Sequence, residues 1–363
     1  MKANYPKKCW YVAATSDEMS QSPLGRRLLG EDVVLWRGAN GHVVALRNRC
    51  AHRAFPLSHG TVDRDRLVCG YHGCTYDADG TCVHITSQPL VPTGMKVRAF
   101  PIREEPPFIW IWLGPLAAAT TGRPPHLPWI NDRAWSTFGS TWKVGANYMM
   151  AHEHYLDFSY APILHRPDIP EEIAGMPAFN DIEVTETTVS YTRILPHAKL
   201  VDWEADATGL DRLQTYQRRE SGMFASPAVH RQQWEIAAPD GKVYNTTRTH
   251  AITPETETST HVFMQCSRNY ALDSDVVTTG LRSFLAEVTK RDSSTLEMAS
   301  SHAGYDGWRG GVEFQADVAA LRARRIVAVM LAIEAGRSPI RPGMAITKRG
   351  DSQSPGKPVT ASG

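Results

Sequence analysis

The chain has 363 residues, of which 42% are apolar and 21% charged, with a formal net charge of +1. That length supports two or three domains with cores of their own, and the balanced charge gives no signal for a nucleic-acid or acidic partner. The opening MKANYPKKCWYV has lysines without an apolar stretch behind them, and the most apolar segment, PPFIWIWLGPLAAA, is broken by Gly114 and Pro115, so neither a secretory signal nor a membrane span is expected and a cytoplasmic location follows.

From residue 10 to about 115 the chain reads as β structure. DVVLWRG, HVVALRN, RLVCGY, KVRAFPI and FIWIWLG are short runs rich in β-branched and aromatic residues, separated by turn signals such as Ala39-Asn40-Gly41 and Asp79-Gly80. An all-β domain over residues 1–116 is therefore expected, followed by a small-residue and proline-rich linker at 117–125. Beyond it, residues 126–347 read as an α+β domain. ANYMMAHEHYLDFSYAPIL begins as a helix that Pro162 should end or bend. IEVTETTVSYTRILP, VYNTTRTHAIT and STHVFMQCSRN have the pattern of antiparallel strands. Two helices follow, SFLAEVTKR and EFQADVAALRARRIVAVMLAIEAG, the second stopped by Gly336. The arrangement is that of a helix-grip domain, a sheet with a long helix laid across it, and residues 348–363 read as a disordered tail. No GxGxxG follows a strand and no phosphate-binding loop is present, which places any nicotinamide chemistry on another protein.

Six cysteines are too sparse for a disulfide framework, and clustered ones point to metal. Cys50-x-His52 and Cys69-x-x-His72 each offer one thiolate and one imidazole. Two metals fit: a single tetrahedral zinc, or a Rieske [2Fe-2S] cluster with both cysteines on one iron and both histidines on the other. Zinc sites generally pair like ligands close together, whereas both pairs here are mixed, and the spacing favours the cluster. Gly60, Gly70 and Gly73 would let the two loops turn and crowd together. Cys9 and Cys266 stand alone, and Cys74 and Cys82 have no assigned role.

CAHRAFPLSHG…LVCGYHGCTYD resembles the Rieske domain of bacterial aromatic-ring oxygenases, above all oxygenase subunits similar to vanillate and dicamba O-demethylases. The resemblance implies Cys50, His52, Cys69 and His72 as cluster ligands. Phe55 and Tyr71 stand where respiratory Rieske proteins place a disulfide, which points to the oxygenase branch. The resemblance continues through NYMMAHEHYLDFSYAPILH, residues 147–165, which is similar to the family's N-x-x-D-x-x-H-x(4)-H segment. There two histidines and a distant aspartate hold a mononuclear Fe(II).

Matched position by position, Asp157 falls on the family's bridging aspartate and His165 on its second histidine ligand. Tyr160 stands at the first histidine ligand, and His154 stands where the family has an asparagine. Three readings stay open: a phenolate ligand, His154 standing in, or a site that has lost its iron. In a straight helix His154 would lie six residues before Tyr160, roughly 9 Å away along the axis, which argues against a simple swap. The resemblance places the carboxylate ligand at Asp317, with Glu313 the runner-up one turn earlier; either acid could instead pair with Arg322 or Arg324.

The resemblance further implies O2 activation with electrons from an NAD(P)H-dependent reductase, with or without a ferredoxin, relayed from His72 to Asp157 across the subunit boundary of a homotrimer. The implied substrate is a small aromatic acid or related ring compound, with no nucleic-acid or membrane partner. Tyr191, Arg193, Trp234 and His250 on the strands read as structural rather than substrate-binding residues. The alternative function is a Rieske electron-transfer or binding protein with a degenerate iron site.

Overall fold

Phe108–Trp112, FIWIW, is buried at every position, as a short uninterrupted apolar run implies for a strand covered on both faces. It is the middle strand of a three-stranded antiparallel sheet between Trp10–Thr15 and Ile102–Glu105. The computed structural model describes residues 5–20, 22–120, 122–166, 168–174, 181–303 and 311–338, so the tail expected at 348–363 lies outside the described residues. Two four-stranded antiparallel sheets complete the N-terminal part. One joins Leu24–Leu28, Glu31–Arg37, Val43–Arg47 and Ala99–Phe100; the other joins Thr61–Asp63, Arg66–Val68, Thr75–Tyr76 and Cys82–His84.

The C-terminal part is a seven-stranded antiparallel sheet in the order Ser136–Val144, Ser259–Arg268, Val243–Thr256, Val229–Ala237, Thr215–Ala225, Thr188–Lys199, Asp181–Val184. Among the described residues six α-helices accompany the strands: α1 (Leu116–Ala119), α2 (Tyr148–Leu156), α3 (Ala161–Leu164), α4 (Asp202–Thr208), α5 (Asp275–Ala303) and α6 (Val318–Glu334). The long α5 begins eight residues before the SFLAEVTKR run and buries Leu281, Leu285, Val288, Asp292 and Leu296. That spacing of three and four is one helical face, and it carries an acid in the middle of its apolar stripe. Gly336, at φ +67°, follows α6 as expected of a helix stop. No helix among the described residues is long and apolar enough to cross a membrane.

One apolar core runs through both parts. Trp10, Tyr11, Trp110 and Trp112 belong to the same buried cluster as Tyr155 of α2, Phe263 of the large sheet and Ile326 of α6. Hydrogen bonds cross at the same place: Thr253 Oγ1 donates to Val12 O at 2.8 Å, and Leu29 N–H donates to Pro254 O at 2.7 Å. At the far end Glu334 of α6 accepts from the backbone N–H groups of Lys7 and Lys8 at 2.9 and 2.7 Å.

Inside the large sheet, Arg193 and Glu220 face each other in register. Glu220 accepts from Arg193 Nε at 3.0 Å and from Arg218 Nε at 2.7 Å, and Arg218 also pairs with Glu204 of α4. All four are at most 3% exposed. Burial opposes ionisation of Glu220, but the charges and hydrogen bonds of Arg218 and Arg193 win and hold its carboxyl below the usual glutamate range. Its contribution to stability is therefore complete above the ordinary glutamate pKa and is lost as pH falls through the depressed value. Glu220→Gln should destabilise the fold by about 3–5 kcal/mol at neutral pH, because it leaves buried guanidinium charge uncompensated. It should also flatten the decline in stability that the parent shows on acidification; urea unfolding at stepped pH checks both.

Candidate active site

The two Cys/His loops are built alike. In the first, Cys50 N–H donates to Phe55 O at 2.9 Å and Ala54 N–H to Cys50 O at 3.0 Å; in the second, Cys69 N–H donates to Cys74 O at 2.9 Å and Gly73 N–H to Cys69 O at 3.0 Å. Ala54 and Gly73, at equivalent places, both have positive φ, +55° and +68°. Each loop thus folds back on its cysteine and sends its histidine outward. Cys50 and Cys69 are buried in an apolar cluster with Trp36, Leu67 and Tyr76, which also takes in Cys74 and Cys82. His52 and His72 are exposed, their ring centroids 4.6 Å apart.

The environment of the sulfurs suits thiolate ligands. Burial raises both thiols, yet at Cys50 the Tyr76 hydroxyl, 3.2 Å from Sγ, and the backbone N–H groups of His52 and Arg53 outweigh it and lower the pKa. At Cys69 burial prevails over the N–H groups of Tyr71 and His72. Sulfur–N–H bonds of this kind and two adjacent surface imidazoles fit a [2Fe-2S] cluster held at the domain tip. The loops also touch closely: a Cβ on Gly60 would stand 2.1 Å from Val68 O, and one on Gly70 2.4 Å from His59 O. The glycines therefore press loop against loop.

The second constellation depends on a break in α2. Asn147 caps its start, its side chain accepting from Met149 N–H. The helix ends at Leu156, where Asp157 turns to φ −116°, ψ 113°. The Asp157 carboxylate then accepts from Ser159 N–H at 2.7 Å and Ser159 Oγ at 3.0 Å, an Asx-type turn that reverses the chain into α3. The straight-helix separation of His154 and Tyr160 is corrected by this turn: their rings stack with centroids 4.1 Å apart at 19°. His154 at the end of α2 and His165 just after α3 come to the same point. His165 Nε2 lies 2.8 Å and His154 Nε2 3.1 Å from one oxygen of Asp292, the acid on the buried stripe of α5.

Asp292 is 4% exposed. Burial disfavours its charge, yet the two imidazoles hold the carboxyl well below the usual carboxylate range. His154 Nε2 and His165 Nδ1 are buried without a directed hydrogen bond. In neither constellation are three His, Cys, Asp or Glu donors splayed around a common centre among the described residues; in the second the two imidazoles close directly on the acid. Two buried imidazole nitrogens and one carboxylate form the donor set of a 2-His-1-carboxylate iron site, and the undirected Nε2 of His154 is the atom such an ion would engage.

Asp317, expected as the carboxylate ligand, does not join this set in the structure. Residues 315–317 form a 3-10 turn, and the Asp317 carboxylate accepts from Phe314 N–H at 2.6 Å at the entry to α6. Glu313 lies before the helix, not a turn back on its face, and pairs with Arg324 at 2.9 Å, the pairing the sequence had left open. Arg324 also binds the buried Glu153, which ties α6 to α2. His152 is a structural neighbour: burial lowers it to about 4, and its Nε2 meets Pro227 O at 3.0 Å. Asp157 is half-buried. Burial first, and then the charge of Asp292, pushes the Tyr160 phenol well above its usual range.

His165 and Asp292 line a small cavity of about 70 Å³ bordered by α5, the large sheet and residues 158–165 and 168–173. Phe158, Tyr160, Trp203, Trp234 and Phe284 give it aromatic walls, and Arg193, Arg218 and Arg248 bring cations to it. Arg193 and Trp234, which the strand pattern read as structural, thus face this cavity. It is the shape of a small-molecule site: apolar walls, few polar groups and a reactive centre in the wall.

An imidazole-tipped two-cysteine clasp joined to a His/His/Asp centre in an aromatic cavity defines a Rieske-type non-haem iron oxygenase. Comparison with known proteins gives the same two parts: residues 9–100 match the Rieske [2Fe-2S] domain, and residues 144–332 match the vanillate O-demethylase oxygenase C-terminal domain. The oxygenase component of dicamba O-demethylase from Stenotrophomonas maltophilia is 31% identical over 351 residues, covering 91% of this chain and 99% of the relative. A putative toluene-4-sulfonate monooxygenase iron-sulfur subunit of Comamonas testosteroni is 31% identical over 312 residues, covering 80% and 87%. The crystal structure of dicamba monooxygenase bound to 3,6-dichlorosalicylic acid matches with a TM-score of 0.84 at 28% identity, covering 92% of this chain and 99% of that one. The chain belongs to the family of Rieske non-haem iron oxygenases typified by the vanillate O-demethylase oxygenase subunit. It is an oxygenase component with a [2Fe-2S] cluster and a mononuclear iron as cofactors, served by a reductase or ferredoxin partner. The main functional reading is thereby supported over a stand-alone electron carrier.

The loop contact can be tested directly. Gly60→Ala should lose most of its acid-labile sulfide and visible absorbance, since a methyl group cannot share space with Val68 O, whereas Gly280→Ala, in open surroundings on α5, should keep both. Sulfide assay and absorbance spectra of the two purified variants decide it.

Proposed function

We propose that the chain is a monooxygenase component that demethylates or hydroxylates a small aromatic acid, with Cys50, His52, Cys69 and His72 holding the cluster and His154, His165 and Asp292 holding the iron. The observation that carries the reading is the meeting of two imidazoles from either side of the α2 break on one buried acid, in the wall of an aromatic cavity. The relatives' names mention dicamba, vanillate and toluene-4-sulfonate, each a benzene ring with one acidic group. The bound cofactors would supply one-electron relay and reductive activation of O2.

The chain's own residues do the rest. The cavity walls desolvate the ring and fix which carbon faces the iron ligands. Tyr160, stacked on His154, holds that imidazole in orientation. Exposed His52 and His72 offer a short path out of the cluster, and Asp157, half-buried beside the second site, is the receiving group. A head-to-tail homotrimer would set the histidines of one subunit against Asp157 of the next.

Iron counting tests the ligand set. The parent should carry about three irons per chain, two in the cluster and one alone. Asp292→Ala should carry about two with its cluster spectrum intact, and Asp317→Ala about three. Equal iron in the parent and Asp292→Ala would defeat the assignment. Asp157→Asn should keep all three irons and lose O2 uptake on a methoxybenzoate by more than about tenfold, as expected for removal of a positioned relay group.

A further inference from the structure

We propose that Arg248 is the specificity-determining residue of the cavity, a guanidinium fork that receives the single anionic group of the aromatic substrate. The proposal rests on the oxygenase reading above and names one residue that gives that reading its selectivity.

Arg248 lies on the interior strand Val243–Thr256, and alternation puts it on the same face as Thr246, which also lines the cavity. Its Cζ sits 4.4 Å from the centroid of Trp234, so the aromatic ring backs the planar fork. The charges around the cavity are otherwise matched. Arg193 and Arg218 are spent on Glu220 and Glu204, Asp168 pairs with Arg291, and Asp292 takes the two histidines. Among the described residues Arg248 enters no ion pair, and its Nε is buried without a hydrogen bond to the protein.

A buried guanidinium N–H with no partner, on a side chain with no counter-charge, is unfavourable unless a ligand supplies one. Its planar donors match the two oxygens of a carboxylate or sulfonate. The stacked Trp234 leaves the donor edge of the fork as the part available to that anion. Arg193 is not an equivalent candidate, because Glu220 already takes both its Nε and Nη2. The cavity therefore favours a ring with one acidic group over the neutral amide or ester of the same shape.

The test uses the holoenzyme under anaerobic conditions, with benzoate, benzenesulfonate and benzamide titrated by calorimetry into the parent, Arg248→Gln and Arg248→Lys. The parent should bind the two anions more tightly than benzamide. Arg248→Gln should weaken both anions by about 10–100-fold, the range for a hydrogen bond to a charged group, while benzamide changes less than about twofold. Arg248→Lys should fall between. The proposal is overturned if the anions bind Arg248→Gln as well as the parent, if anions and benzamide weaken together, or if neither anion binds the parent. Iron content and O2 uptake of the same preparations separate the two levels of the argument: a parent lacking the third iron that still discriminates by charge would sink the oxygenase reading and leave Arg248 its role.

Discussion

The catalytic half of the molecule depends on keeping one carboxylate ionised inside an apolar helix face. Asp292 occupies a position on α5 where its neighbours along the stripe are Leu285, Val288 and Leu296. An unpartnered charge there would be expelled or neutralised. Two imidazoles prevent that, and they reach the acid only because α2 stops at Leu156 and the chain doubles back through the Asp157 turn. The residue that ends the helix is also the one proposed to receive electrons, so local backbone geometry and redox coupling share one side chain.

The cluster half uses the opposite strategy. Its cysteines are buried among apolar side chains while its histidines stand in solvent. Two loops with the same hydrogen-bond closure and the same positive-φ hinge residue place one thiol inward and one imidazole outward each. The sulfurs are shielded and the exit for electrons is not. The proposed iron site inverts this, with His154, His165 and Asp292 all buried and a cavity reaching His165 and Asp292.

Much of this was legible in the chain because it is local. The Cys/His pairs lie within three residues of each other, and turn signals and β-branched runs mark the strands around them. His154 and His165 could be singled out, but not their meeting, since a regular helix would hold His154 far from Tyr160 and nothing local measures how an aspartate leaves helical dihedrals. The acid was harder still. Asp292 is 127 residues beyond His165, and resemblance pointed instead to Asp317, at the entry to α6. A signal was nonetheless present: in the pattern Leu281, Leu285, Val288, Asp292, Leu296 a charged residue interrupts an apolar face, and such a residue needs a partner. The strand residues show the remaining limit. Alternation separates the two faces of Val243–Thr256 but does not say which one looks into the cavity, so the roles of Arg193, Trp234 and Arg248 depend on a register that only the folded sheet fixes.

The clasp of Glu334 on the backbone of Lys7 and Lys8 makes the described fold a closed circuit. The last helix is fastened to the segment leading into the first strand, and that strand is fastened to the large sheet. Peeling away either extremity would strip a wall from the shared tryptophan-rich core, so neither half is a detachable module. Electron delivery and oxygen chemistry are thus built around one shared core.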